Sequence, residues 1–207
     1  MDRLFSLFKS KPTWLRVFPY VLVIGGMIGV LASSIITLDK IELLQNPQAL
    51  FPCDLNPIFS CGSVMESPQA SAFGFTNTLI GIVGFAVVTT IGMSILAGAR
   101  FKRWFWLGLQ FGTSFGLIFT HWLAYQSIYR IGSLCLYCML VWTIMIPTFL
   151  YTTFYNLKER NIKLDKKYHH KVIKFLEAHH AKLLVVWYLV IVSLILIQFW
   201  DFWSSIL

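Results

Sequence analysis

Residues 73–97, FGFTNTLIGIVGFAVVTTIGMSILA, contain no charged side chain. A run of about 20 mostly apolar residues is what a helix needs to cross the hydrocarbon of a bilayer. Working outward, the same reading applies to residues 14–38 upstream and to 106–130, 135–157 and 182–203 downstream. The 207-residue chain is 57% hydrophobic and 13% charged, whereas an ordinary soluble domain carries about a quarter charged residues. Five spans and short connectors use nearly all of it, which leaves no room for a separate soluble domain of typical size. The expected fold is therefore all-α and integral to a membrane, with a single domain over residues 1–207. The first run is too long for a signal-peptide core and is expected to stay as an anchor.

The net charge of +8 is explained by where the basic residues lie. Arg3, Lys9, Lys11 and Arg16 flank the start of the first span, Arg100, Lys102 and Arg103 join the second to the third, and a basic segment covers residues 158–181. Lys40 and Arg130 alone fall on the other side. Cytoplasmic loops retain Lys and Arg, so this asymmetry places the N-terminus inside and the C-terminus outside. Attraction to anionic lipid is a secondary effect. No interleaved basic and aromatic surface accompanies the charge, which argues against nucleic acid as a partner.

The long external connection, residues 39–72, is a lid broken by Pro47, Pro52, Pro57 and Pro68, with a short interfacial helix expected over residues 40–44. Residues 131–134 join spans three and four as a tight antiparallel hairpin. Small residues recur every four positions at Gly25, Gly29 and Ser33 and at Gly108, Gly112, Gly116, Thr120 and Ala124, a pattern that lets helix backbones approach closely in lipid. Trp14, Trp104, Trp106, Trp200 and Trp203 stand near span ends, as interfacial aromatics do. The stretch with His169, His170, His179 and His180 reads as a helix lying on the membrane surface ahead of a fifth span, in preference to a metal site.

All four cysteines fall on the outer side in this topology. Cys53 and Cys61 are in the lid; Cys135 and Cys138 form a C-x-x-C at the start of span four. Free amides and the dipole at a helix start favour the thiolate, the attacking species in disulfide exchange, which marks Cys135. Cys138 lies one turn deeper, where a lipid-soluble oxidant would arrive. Exchange needs one pair facing a partner and another facing the final acceptor. Spacing alone leaves three readings open: exchange, two structural disulfides, or a tetrahedral zinc site.

The run Cys53-Asp-Leu-Asn-Pro-Ile-Phe-Ser-Cys61, followed by Val64, Ser67, Phe73-Gly74, Asn77 and Gly81 and later by Cys135-Leu-Tyr-Cys138, resembles the prokaryotic branch of the vitamin K epoxide reductase (VKOR) family. The likeness covers about residues 14–157. It implies a four-helix bundle around a quinone site plus a fifth transmembrane helix. It also implies that Cys53 takes electrons from a separate thioredoxin-like (DsbA-like) protein, that Cys61 relays them to Cys135, and that Cys138 reduces a membrane quinone, ubiquinone, menaquinone or a related one. Ser67 and Asn77 match family positions near the quinone, the alternatives being a capping serine in the lid and an Asn that opens span two; Trp142, where some relatives have Tyr, is expected either to flank the ring or to pack against a neighbouring span. The implied setting is a bacterial plasma membrane with the active site on the extracytoplasmic side.

The resemblance has departures. Many bacterial relatives continue into a fused thioredoxin-like domain, so the redox partner is expected to be a separate chain. Another type of quinone-linked thiol oxidase places its C-x-x-C ahead of the long cysteine loop, the reverse of the order here. A non-enzymatic scaffold or transporter subunit braced by disulfides is the remaining rival, although the spans lack the charged interior residues of a solute path. His121, midway along span three, is read as a neutral histidine bonded to a neighbouring helix in preference to a proton relay. Lid movement is expected to couple the two cysteine pairs, since Cys53 must meet a large partner while Cys61 must reach Cys135.

Overall fold

The computed structural model describes residues 13–163 and 165–206; Arg3, Lys9 and Lys11, used above for topology, lie outside them. Its helices are α1 (Thr13–Gln45), α2 (Cys61–Glu66), α3 (Thr78–Leu96), α4 (Arg103–Gln126), α5 (Leu136–Lys158), α6 (Lys166–Gln198) and α7 (Trp200–Ile206). Among the described residues there is one isolated β-bridge and no strand. α1, α3, α5 and α6 are each long and apolar enough to cross a membrane. Gln110, Thr113, Ser114 and His121 dilute the apolarity of α4. It nevertheless has to traverse the same thickness, because α3 runs away from the cysteine end and α5 starts back at it. Its 24 residues reach about 36 Å at about 1.5 Å per residue, enough for a hydrocarbon core of about 30 Å.

α5 is the central helix, packed on α1 and α4, with α1 also packed along α3 and α6 docked on α5. The glycines of α1 do what the small-residue pattern predicts. A Cβ on Gly25 would stand 2.9 Å from Ile144 Cγ2 and one on Gly29 would stand 2.4 Å from the Phe85 ring. Those of α4 divide. Gly116 would press on Met145 Cε at 2.8 Å, but Gly108 and Gly112 meet nothing within 4 Å. They face a cavity between α3 and α4 instead of a neighbouring helix, so the close-packing expectation is wrong at these two positions.

Four further expectations change. Residues 40–44 are helical as the last turns of α1, because neither Pro nor Gly occurs between Val30 and Gln45. The second span begins at Thr78, since the chain turns through Gly74 at φ +83°. Trp14 and Trp106 do not form an interfacial belt: both are buried, Trp14 stacked on Phe154 at 3.8 Å and Trp106 against Tyr155 at 4.1 Å. Finally, the His-rich segment does not form a separate surface helix. It is the first part of α6, which continues unbroken into the fifth span. It is held to the end of α5 by Tyr151 Oη to His180 Nδ1 (3.1 Å), His169 Nε2 to the Leu157 carbonyl (2.9 Å) and a Lys158–Glu177 ion pair at 2.9 Å.

Candidate active site

The lid is built from local hydrogen bonds. The Asn56 side-chain oxygen accepts from the Ile58 and Phe59 amides at 3.0 and 2.8 Å, and the Leu55 amide donates to the Phe59 carbonyl at 2.9 Å. This turn presents residues 58–60 as a short extended piece that pairs in parallel with Leu134. The Ser60 amide donates to the Leu134 carbonyl (3.0 Å) and the Leu134 amide to the Ile58 carbonyl (2.7 Å). Ser60 then caps α2, its hydroxyl accepting from the Ser63 amide. Cys61 and Cys135 directly follow the bonded Ser60 and Leu134, so the main-chain pairing sets their register.

Cys53 and Cys61 are disulfide-bonded with Cα atoms 5.7 Å apart, while Cys135 and Cys138 are free thiols. Cys61 Sγ lies 3.3 Å from Cys135 Sγ. An oxidised Cys61 has no S–H, so Cys135 is the side able to donate or attack. Cys135 caps α5 from just outside the span, accepting from the Cys138 amide at 3.4 Å. The Cys138 thiol donating to it lowers its pKa most; burial pushes the other way, the Cys138 and Tyr137 amides lower it further, and the Asp39 carboxylate opposes them. A thiolate facing a disulfide sulfur in near contact is the arrangement for exchange.

Cys138 faces inward. It lines a cavity of about 530 Å³ between α3 and α4, together with Asn77, Thr78, Phe119, Trp142 and, further from the sulfurs, Gly108 and Gly112. The lining is almost wholly apolar, and the volume falls in the range of small-molecule sites. A smaller cavity of about 80 Å³ adjoins it, sharing Cys138, Asn77, Thr78 and Trp142 and adding Lys40, Ser67 and Gln126.

The residues expected near a quinone are therefore drawn together, though each also has a structural duty. Ser67 lines the small cavity and donates its hydroxyl to the Val64 carbonyl at 2.7 Å, closing α2. Asn77 lines both cavities but fastens the lid's return: its Oδ1 accepts from the Ala72 amide at 3.1 Å and its Nδ2 donates to the Gln69 carbonyl at 2.6 Å. Trp142 is buried and separates the cavities from a cluster with Ile58, Ala124, Ile128 and Leu134. Thr78 was not singled out from sequence. Its hydroxyl, 2.6 Å from that of Thr37 and 3.0 Å from that of Thr76, faces both cavities. Its only sequence signal was its place beside Asn77.

His121 accepts from the Trp187 indole N–H at 2.9 Å through Nε2, leaving Nδ1 to donate to the Leu117 carbonyl at 2.9 Å. This is the neutral, helix-bonded histidine expected. The lid expectation needs revising: Cys61 is already at Cys135, and Cys53, which has to meet the partner, is buried with it, 2% exposed and packed with Leu43 and Phe51. The motion required is one that uncovers Cys53. Zinc ligation by all four sulfurs conflicts with the bonded Cys53–Cys61 pair, which offers no thiolate.

The vitamin K epoxide reductase family model matches residues 20–153, well over half of the chain. The chain belongs to the vitamin K epoxide reductase family. No curated protein matches it. The VKOR match takes in all four cysteines and nearly all of α1 to α5. With four apolar helices able to span a bilayer, this VKOR protein is a multi-pass membrane oxidoreductase of the thiol and quinone class.

Proposed function

We propose that this VKOR protein oxidises the dithiol of a separate thioredoxin-like protein on the extracytoplasmic side of a bacterial plasma membrane and delivers the electrons to a quinone. The observation that carries the reading is the 3.3 Å approach of Cys61 to Cys135, which joins the lid disulfide to a dithiol whose Cys138 lines the cavity. Arg100, Lys102, Arg103 and Lys158 cluster at the end remote from the sulfurs, which supports an extracytoplasmic active site.

In the forward direction a partner thiolate attacks Cys53; the Cys53–Cys61 bond breaks and its electron pair leaves on Cys61. With Cys135 and Cys138 oxidised, the Cys61 thiolate attacks Cys135 and Cys138 leaves as thiolate. The partner's second thiolate then frees Cys53, which attacks Cys61 and releases Cys135. Lid disulfide and cavity-side dithiol, the state seen in the structure, are the result. A quinone bound beside Cys138 supplies an acceptor for two electrons and two protons. The cavity suits one: apolar walls for a ring and tail, the Thr78 hydroxyl and the Asn77 amide near Cys138 as polar contacts, and Trp142 against its edge. Cys135 closes the cycle by bonding to Cys138.

The two free thiols beside an intact disulfide also weigh against a purely bracing role. The test is quinone reduction by the purified protein with a reduced thioredoxin-like donor, comparing the four single Cys→Ser variants. All four should lose turnover with the protein donor. Turnover retained in Cys135→Ser or Cys138→Ser would sink the proposal.

A further inference from the structure

Asp54, immediately after Cys53, has no part in the relay described above, yet it touches both arms of the disulfide loop. Its Oδ2 accepts from the Phe51 amide at 3.2 Å and its Oδ1 from the Gly62 amide at 3.1 Å. One carboxylate thus ties the turn before Cys53 to the first turn after Cys61. A Cβ on Gly62 would sit 3.4 Å from Asp54 Oδ2, so the carboxylate lies directly on that turn. Burial alone would raise the Asp54 pKa. The Gly62 and Phe51 amides, the Ser60 hydroxyl and the Cys61 amide outweigh it and hold the group below the usual carboxylate range, so it is ionised at neutral pH.

We propose that Asp54 is a positioning residue that weights the lid toward its disulfide form, by tying the loop closed and by placing negative charge on the first turn of α2, where the Cys61 thiolate forms. The two effects have the same sign. Tying residues 51 and 62 holds Cys53 close to Cys61 after reduction, which favours re-formation of their bond. The carboxylate opposes the Cys61 thiolate by like charge, and it occupies the Gly62 amide that would otherwise stabilise it. Ser60 occupies the Ser63 amide in the same way. A lid biased toward the disulfide passes each electron pair on to Cys135 and Cys138 instead of keeping it. The inference rests on the lid pair being redox-active, as proposed above.

The test equilibrates full-length protein, without quinone, against graded dithiothreitol ratios, traps thiols by alkylation, and reads the Cys53 and Cys61 peptides by mass. Asp54→Asn keeps an acceptor and loses the charge. At a pH above the Cys61 thiol pKa, where the reduced sulfur is ionised, its lid should be reduced at a dithiol-to-disulfide ratio about tenfold lower than wild type, the equivalent of one pK unit of thiolate stabilisation. Asp54→Ala, which also loses the tie, should shift further, and Asp54→Glu should stay within about twofold. If Asp54→Asn does not fold, Asp54→Ser provides the same uncharged comparison. An uncharged variant within twofold of wild type, or a Glu variant shifted as far as Asn, overturns the role of Asp54. A wild-type lid that no dithiol reduces overturns the relay itself.

Discussion

The two ends of the bundle are built from the same helices to opposite specifications. At the end remote from the sulfurs Trp14, Phe18, Trp106 and Phe154 fill the space between α1, α4 and α5, and a buried amide network crosses it, although Trp14 Nε1 and Thr152 Oγ1 are buried there without a hydrogen-bond partner. Asn156, fully buried, donates to the Trp106 carbonyl and to Gln110 Oε1 at 3.2 and 3.1 Å and accepts from Asn161 Nδ2 at 3.1 Å. Arg103 Nε ties the Asn161 carbonyl at 2.9 Å. At the cysteine end contact is made by a bridge and by sulfur, and a hollow opens beside Cys138 that runs between α3 and α4 as far as Phe105 and Trp104. Aromatic packing and the Asn156 network at one end allow the other to keep exchangeable bonds.

The contrast can be broken most severely at Cys138. Cys138→Ser should lower quinone reduction at least about 10³-fold, about 4 kcal/mol of transition-state stabilisation, with a thermal midpoint within a few degrees of wild type. Collapse of the fold along with activity would restore the brace reading. At the other end Asn156→Leu leaves Gln110 and Asn161 short of partners in a dry setting. It should cost about 2–4 kcal/mol in denaturant unfolding with no change in turnover per folded molecule.

Two glycines sharpen the comparison at smaller amplitude. Gly29→Ala drives a methyl into the Phe85 ring and should destabilise by about 1–3 kcal/mol, whereas Gly112→Ala enters open space and should be neutral or stabilising by up to about 1 kcal/mol. Gly112→Leu, folded but occluding the cavity, should raise the KM for quinone. The finest effect is on titration. Because the Cys135 pKa is lowered, its thiolate persists below the pH at which an ordinary thiol protonates, and is lost as pH falls through the lowered value. Thiolate absorbance of the protein with its lid disulfide intact should show this, and Cys138→Ala, which removes the main donor, should move the midpoint upward.

How far the sequence could be read follows the same divide. Charge-free runs and cysteine spacing report composition and order, so the spans, the lid and both cysteine pairs were legible. What a residue faces is not carried by composition. Trp14 at a span end has the same signature whether it meets headgroups or Phe154, and the Gly108–Gly112 stripe looks the same with a neighbour present or absent. The Lys- and His-rich stretch signalled polarity but not direction, so the unbroken course of α6 was missed. The bridge at Phe59 and Leu134 is one residue long and leaves no periodicity to detect. Asp54 and Thr78 stood next to motif residues without a signal of their own.

That bridge has a consequence for tolerance. Peptide groups at positions 58, 60 and 134 carry the alignment, while the Ile58 and Leu134 side chains serve the buried core and Ser60 caps α2, so proline at 60 or 134 is the substitution that silences the handover without emptying the core. A library randomised across those positions should thus recover working versions that keep apolar residues at 58 and 134 and exclude proline at 60 and 134.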